Sequence, residues 1–237
     1  MTTEVKQMII GGLSCAASSG DTFQVLAPAD GRVIAEVALA GASEADAAVA
    51  QARVGFRLWS SLAPRERERV LLRAAELVEA EGDSRFLDDL IDEGGCTITK
   101  ARGEIGYTAD LLRTAAGESR RLYGDTFPND NPERVSMVFR EPLGVVAVIS
   151  PYNAPLALLT KMSAFPLAAG NAIVIKPSEE TPLTALAFGQ LLLDAGLPPA
   201  CVSVVTGVGA QCGACLLYTS DAADDNRVVW VWGGGGG

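Results

Sequence analysis

Three short polar clusters hold most of the chemistry this sequence offers: Ser150-Pro-Tyr-Asn153, Lys176-Pro-Ser-Glu179 and Thr206-Gly-Val-Gly209. A lysine and a glutamate three residues apart can bracket a ribose, the ammonium donating to its hydroxyls and the carboxylate accepting from them. An asparagine such as Asn153 offers amide N–H donors toward a developing oxyanion. Taken singly, each cluster also reads as a solvated loop, a plain turn or a tight connection, because motifs this short recur by chance. Cys212-Gly-Ala-Cys215 has the spacing of a redox dithiol. A zinc site would need a second such pair, and Cys15, Cys96 and Cys201 are not spaced to make one. We therefore read the pair as structural. The sequence contains no histidine, which excludes a Ser-His-Asp triad, a Cys-His pair, imidazole metal ligation and an imidazole pH switch.

Each polar cluster follows an apolar, β-rich run: Val145-Val-Ala-Val-Ile149, Ala172-Ile-Val-Ile175 and Val202-Ser-Val-Val205. A helical stretch with Leu156, Leu159, Met162, Ala164 and Leu167 separates the first two and ends at Gly170-Asn171. Another, capped by Thr181-Pro182 and bearing Leu183, Ala185, Leu186, Leu191 and Leu192, separates the second two. The runs start at 145, 172 and 202, 27 and 30 residues apart, the length of one strand plus a crossover helix. Continuous apolar strands alternating with helices predict a parallel sheet buried on both faces, the β-α-β-α-β core of a doubly wound α/β fold. Ligands of such sheets bind outside the carboxyl ends of the strands, where all three clusters stand. No Gly-x-Gly-x-x-Gly lies between the first strand and its helix, so a standard phosphate loop is not expected.

The first 120 residues read as packing. Extended segments flank a turn at Pro28-Ala-Asp-Gly31, and Ser43 with Asp46 has capping-box spacing at the start of a helix. Pro64 opens a second helix that Gly82 ends; a third carries Phe86, Leu87, Leu90 and Ile91, and a fourth runs from about Thr97 to Leu122. Gly124 to Pro132 reads as a turn-rich link, followed by an extended Val135-Ser-Met-Val-Phe139.

The 237 residues are 49% hydrophobic and 20% charged, with a formal net charge of −10. An acidic chain without a basic run argues against nucleic-acid binding, which needs clustered cations to displace counterions. The five cysteines are an odd number at irregular spacing, unlike a disulfide framework, and the patch Met8 to Leu13 is too short for a secretory signal. Apolar runs are interrupted by Lys161 and Lys176 before they reach a membrane-spanning length. These features predict a cytoplasmic protein with no membrane partner.

Together, Arg140-Glu-Pro-Leu-Gly-Val-Val through Ile149-Ser-Pro-Tyr-Asn153, Ala169-Gly-Asn171, Ile175-Lys-Pro-Ser-Glu179, Thr181-Pro182 and Val204-Val-Thr-Gly207 resemble the N-terminal part of the aldehyde dehydrogenase superfamily. The resemblance covers roughly residues 8 to 213 and implies NAD(P) lying across the sheet edge without the glycine fingerprint. By that resemblance Asn153 is the side-chain donor of the oxyanion hole. Ile149, Ser150, Pro151 and Tyr152 form the wall along the cofactor, with Tyr152 where the family more often has Trp. Lys176 and Glu179 bind the adenosine ribose, and Ser178 and Gly209 are further adenosine-side contacts. A glutamate at 179 repels a 2′-phosphate, which favours NAD over NADP. Lys161 matches a helix lysine near the family's active site. Glu93-Gly-Gly-Cys96 departs from the usual Glu-x-Gly-Lys in a segment read as peripheral, and Val135 to Glu141 resembles part of an oligomerisation arm.

The implied reaction oxidises an aldehyde to a carboxylic acid through a cysteine thiohemiacetal and thioester. Its thiolate and water-activating glutamate belong beyond the matched stretch, so we expect a fragment, inactive alone, of an enzyme that is homo-oligomeric at full length. A CoA-acylating or reductive relative of the same fold, or a non-catalytic dinucleotide-binding fragment, are the competing expectations. The expected organisation is residues 1–123 as the helical part of the cofactor domain, 124–143 as part of the arm, 144–214 as the parallel-sheet core, and 215–237 as a non-native tail. That tail begins where Leu216 to Asp225 replaces an expected helix, and it ends in five glycines.

Overall fold

The period of the apolar residues decides each element, and the computed structural model describes residues 4–219. The apolar patch at the start forms two short strands, β1 (Met8–Ile10) and β2 (Leu13–Cys15). They are joined at Gly11-Gly12, whose φ values of 57° and 80° exclude most side chains. β3 (Thr22–Leu26) and β4 (Val33–Ala38) make the antiparallel hairpin expected around Pro28 to Gly31. Four helices follow: α1 (Ala42–Ser60), α2 (Pro64–Gly82), α3 (Asp88–Asp92) and α4 (Ile98–Glu118). The pair β5 (Asp125–Phe127) and β6 (Ser136–Val138) leads into β7 (Val145–Ile149), α5 (Pro155–Ala168), β8 (Ala172–Lys176), α6 (Pro182–Asp194) and β9 (Val202–Val204). The last described element is α7 (Ala214–Thr219).

β7, β8 and β9 pair in parallel, Val145 opposite Ala172 and Ile173 opposite Val202, as the alternation of strands and helices requires. The five-stranded sheet has the order β2-β1-β9-β8-β7, so the N-terminal strands add an antiparallel pair beyond β9. Alternate residues serve opposite faces. Ile173 and Ile175 join the core shared with α2, α4, α5 and α6, whereas Val174, Ala172 and Val145 join the one packed against α1. Fully burying each large aliphatic side chain contributes about 1.5–3 kcal/mol. Trp59 is the largest side chain with no exposure, and its indole N–H donates to the Leu167 carbonyl at 2.8 Å, so its one polar atom is not stranded.

Several boundaries differ from the sequence reading for identifiable reasons. The capping carboxylate of α1 is Glu44, three residues after the N-cap Gly41, and it accepts from the Gly41 N–H at 2.8 Å. Ser43 and Asp46 therefore lie inside the helix. α2 ends at Gly82 as read, but without a break in the helical path: a π-turn, Asp83–Leu87, carries the chain straight into α3. A Cβ on Gly82 would lie 2.4 Å from Ile105 Cγ2, so the glycine is there for close packing against α4. The link after Gly124 holds β5, which pairs with β6. Ala214–Thr219 is helical and Leu216 is buried, so the helix read as lost after Gly213 is present up to Thr219. The rest of the expected tail, residues 220–237, lies outside the described residues. Among the described residues no helix is long and apolar enough to cross a membrane.

Candidate functional site

Parallel register brings the three polar clusters to one edge. Ile149 stands opposite Lys176 and Ile175 opposite Val204, while the Ser150 N–H donates to the Lys176 carbonyl (3.1 Å) and Val205 N–H to the Ile175 carbonyl (2.8 Å). Lys176 is not the solvated loop charge its setting allowed. It is 3% exposed, and its Nζ lies 3.3 Å from Oε2 of the half-exposed Glu179. Beside them Ile149, Pro151, Tyr152, Asn153 and Gly209 are exposed along the edge, and Ser150 is buried behind it. The Ser178 carbonyl accepts from Thr181 N–H at 3.2 Å and its Oγ from Glu180 N–H at 3.3 Å, which curls the loop back on itself. Lys161 is exposed on α5.

The residues that hold these loops come from the region read as packing: Glu104 escapes the sequence reading, and Glu93 enters it only within a segment read as peripheral. Glu104 is 7% exposed, and its Oε1 accepts from the N–H groups of Leu156 (2.8 Å) and Ala157 (3.0 Å) at the start of α5. Its Oε2 pairs with Lys100 at 3.4 Å, and the same ammonium donates to the Asn153 carbonyl at 3.1 Å. Glu93 repeats the device at α6. Its two oxygens accept from Leu183 N–H (2.8 Å) and Thr184 N–H (2.7 Å). Thr181 makes no side-chain cap, so the expected Thr181 cap is replaced by Glu93. Far from peripheral, Glu93 is 3% exposed. Burial pushes its carboxyl up to about 8, against the downward pull of the Thr184 and Leu183 donors. The third loop is tied in the same sense: Thr206 Oγ1 donates to the Ala38 carbonyl and the Thr206 carbonyl accepts from Ala40 N–H, both at 2.7 Å.

Both crossover helices begin with proline, Pro155 and Pro182, so the next two N–H groups are the first orphan donors. A carboxylate takes both in each helix. A phosphate at either start would meet spent donors and a buried acidic side chain, which explains in physical terms why no glycine phosphate loop precedes α5. Two signals could have revealed the pair. Glu104 lies on the apolar stripe of α4 with Ala101, Ile105 and Thr108, and Glu93 stands at the carboxyl end of α3, where the helix dipole disfavours an acid.

Cys201 and Cys212 are buried, and burial pushes their thiols up to about 12 and about 11, away from the thiolate. Among the described residues no cluster of His, Cys, Asp and Glu could hold a metal ion.

Comparison with known proteins gives a consistent picture. The family model described as the aldehyde dehydrogenase family matches residues 15–224. The chain is 40% identical over 212 residues to a mitochondrial succinate-semialdehyde dehydrogenase of Arabidopsis thaliana, covering 89% of the chain and 40% of that protein. It is 39% identical over 204 residues to a vanillin dehydrogenase of Pseudomonas fluorescens, covering 86% and 42%. Two solved structures superpose with a TM-score of 0.85. One is an NADP-dependent enzyme of E. coli (34% identical, 88% of this chain and 43% of that one). The other is PnpE in complex with nicotinamide adenine dinucleotide (37% identical, 89% and 43%). The chain thus spans about two fifths of the length of the relatives it matches.

Proposed function

We propose that this chain, which belongs to the aldehyde dehydrogenase family, supplies the dinucleotide-binding side of an enzyme that oxidises an aldehyde to a carboxylic acid with NAD. The observation that carries the reading is the pairing of buried Lys176 with Glu179, 3.3 Å apart at the open edge of the parallel strands. One ammonium and one carboxylate at that separation match the donor and acceptor needs of a vicinal diol, so the residues present fit an adenosine ribose. Ile149, Pro151 and Tyr152 extend from that point as an exposed, largely apolar wall, with buried Ser150 at its base. Ser178 shapes the ribose loop, and Gly209 leaves the adenosine side open, since nothing lies within 4 Å of where its Cβ would be.

When bound, the dinucleotide supplies the two-electron acceptor for aldehyde oxidation. This chain's own residues bind and orient. Asn153 donates from its side-chain amide to the substrate oxygen as negative charge develops there, while Lys100 and Glu104 fix its backbone. A half-exposed Glu179 at the ribose disfavours an added 2′-phosphate, which sets NAD above NADP.

Residues 1–123 and 144–214 belong, on this reading, to one cofactor-binding domain, with 124–143 as the arm that meets another copy. The arm exposes Val135 (81%), Phe139 (71%), Phe127 and Met137, apolar surface of the kind an interface covers. The odd number and irregular spacing of the five cysteines and the net charge of −10 support a cytoplasmic protein that binds neither nucleic acid nor membrane. The test is equilibrium binding of AMP, NAD and NADP to the chain by calorimetry. Saturable NAD binding, displaced by AMP and stronger than that of NADP, supports the proposal. Absence of binding by any of the three overturns the nucleotide reading, and equal affinity for NADP overturns the cofactor preference.

A further inference from the structure

We propose that Glu93 and Glu104 are positioning residues: each fixes one loop of the nucleotide edge by seating the crossover helix that follows it. The inference rests on the nucleotide reading above and deepens it. The two devices are built alike. A proline occupies the first helical position, the next two N–H groups converge on one carboxylate, and that carboxylate comes from α3 or α4, more than 50 residues earlier in the chain. Glu93 governs the loop 176–181 through Leu183 and Thr184. Glu104 governs the loop 150–154 through Leu156 and Ala157, and its partner Lys100 reaches the Asn153 carbonyl directly.

Neither helix start carries a side-chain cap of its own from Ala154 or Thr181. The entry angle of each loop is therefore set from outside the β-α-β unit. Without the carboxylate two buried N–H groups lose their acceptor, and the helix start must shift or admit water. Because Lys176 and Glu179 lie on the loop seated by Glu93, and Asn153 on the loop seated by Glu104, the two substitutions should have separable consequences.

The experiment compares the wild-type chain with Glu93→Gln and Glu104→Gln by site-resolved amide hydrogen exchange, together with AMP binding. Gln replaces one acceptor oxygen by a donor that faces an N–H. In Glu93→Gln, exchange at Glu180 and Thr181, whose amides are bonded within the loop and not to Glu93, rises by roughly ten-fold, and AMP affinity falls by a similar factor, the scale of one buried donor left without its acceptor. Exchange at Leu158, in the first turn of α5, stays as in the wild type. Glu104→Gln gives the converse: faster exchange at Leu158, exchange at Glu180 and Thr181 as in the wild type, and an AMP affinity that falls less than in Glu93→Gln. A uniform rise across both loops and the β8 amides in either variant, with AMP affinity following global stability, overturns the proposal by reducing both residues to general core stability. If the wild-type chain does not bind AMP, the nucleotide reading fails and the exchange pattern alone decides the positioning roles. Glu93→Asp, which draws both oxygens back by one methylene, and Lys100→Met, at a half-exposed position, carry the same loop-specific expectations should the Gln variants not fold.

Discussion

Replacing Lys176 by methionine should separate ligand recognition from folding, because the proposed reading gives this ammonium a binding task and its ion pair little net stability. Breaking a buried ion pair usually costs about 3–5 kcal/mol, since the surviving charge is left uncompensated in the interior. Here the survivor would be Glu179, whose side chain is 42% exposed, so it rehydrates when the ammonium goes. Methionine keeps much of the apolar stem, which runs past Gly213 with its Cδ 3.8 Å from where a Cβ on that glycine would be. Removing a charged group that is itself 3% exposed also relieves a desolvation cost. The change in folding free energy should therefore stay within about 1 kcal/mol, a shift in Tm of roughly 2–4 °C in either direction. Affinity behaves differently. Loss of a charge-assisted hydrogen bond to a ribose hydroxyl should cost about 1.5–3 kcal/mol, or roughly 10- to 150-fold in Kd. Calorimetric titration with AMP, beside thermal unfolding of the same samples, measures both. A Lys176→Met chain that loses many degrees of Tm yet binds AMP like the wild type would refute the assignment and make the pair a structural ion pair.

Three further perturbations probe the frame around the site. Glu44 is held at about 2: burial pushes it up, but donors from Ser18, Gly41 and Ser43 outweigh that. Its folded pKa lies below the ordinary 4.5, so its contribution is present above 4.5 and is lost as pH falls toward 2. Glu44→Gln should lower stability at pH 7 by roughly 1–3 kcal/mol and flatten the acid limb by about one proton, read from denaturant titrations across that window. Gly55→Ala places a Cβ 2.2 Å from the Ala200 carbonyl oxygen and 2.6 Å from the Cys201 nitrogen, backbone atoms that cannot step aside. The overpacking should exceed the ~1 kcal/mol helix gain and leave a net loss of about 1–3 kcal/mol in chemical denaturation. Iodoacetamide at pH 7.5 should modify Cys201 and Cys212 far more slowly than Cys15, in peptide-resolved mass spectrometry of the native chain. Equal rates would show that burial does not hold those two thiols protonated.

The parallel core was legible because its signal is local and redundant. Val145 to Ile149, Ala172 to Ile175 and Val202 to Val205 are largely apolar, β-rich runs, and the first two are each followed by a helix with its own stop. Proline marked the start of α2 and α6, and the structure places Pro64 and Pro182 at their first residue, as it does the unread Pro155 in α5. The misreadings share a cause in partners distant in sequence. Gly82 looks like only a terminator until Ile105 is seen against it. The patch Met8 to Leu13 has no role until Ile9 pairs with Val204. Ser43 is a better capping residue than Gly41 by propensity, yet Glu44 can satisfy Gly41 and Ser18 at once, and that double bond decides the boundary.

The same reasoning explains why the edge residues were easier to find than those that hold them. A group proposed to face the ligand, such as Lys176 at the end of β8 or Asn153 in the loop after β7, stands at the carboxyl end of a strand, so topology alone puts it on the edge. A supporting carboxylate must satisfy donors on another element, and it can come from any part of the chain that packs there. Residues of that kind violate their local context: Glu104 puts an acid on an apolar stripe, and Glu93 puts one at the wrong end of a helix dipole. Local violations in an otherwise consistent sequence therefore point to the partners that a local reading lacks. Here both point to the starts of the two crossover helices, which makes the helical region that seemed to be only packing the part of the chain that sets the geometry of the edge.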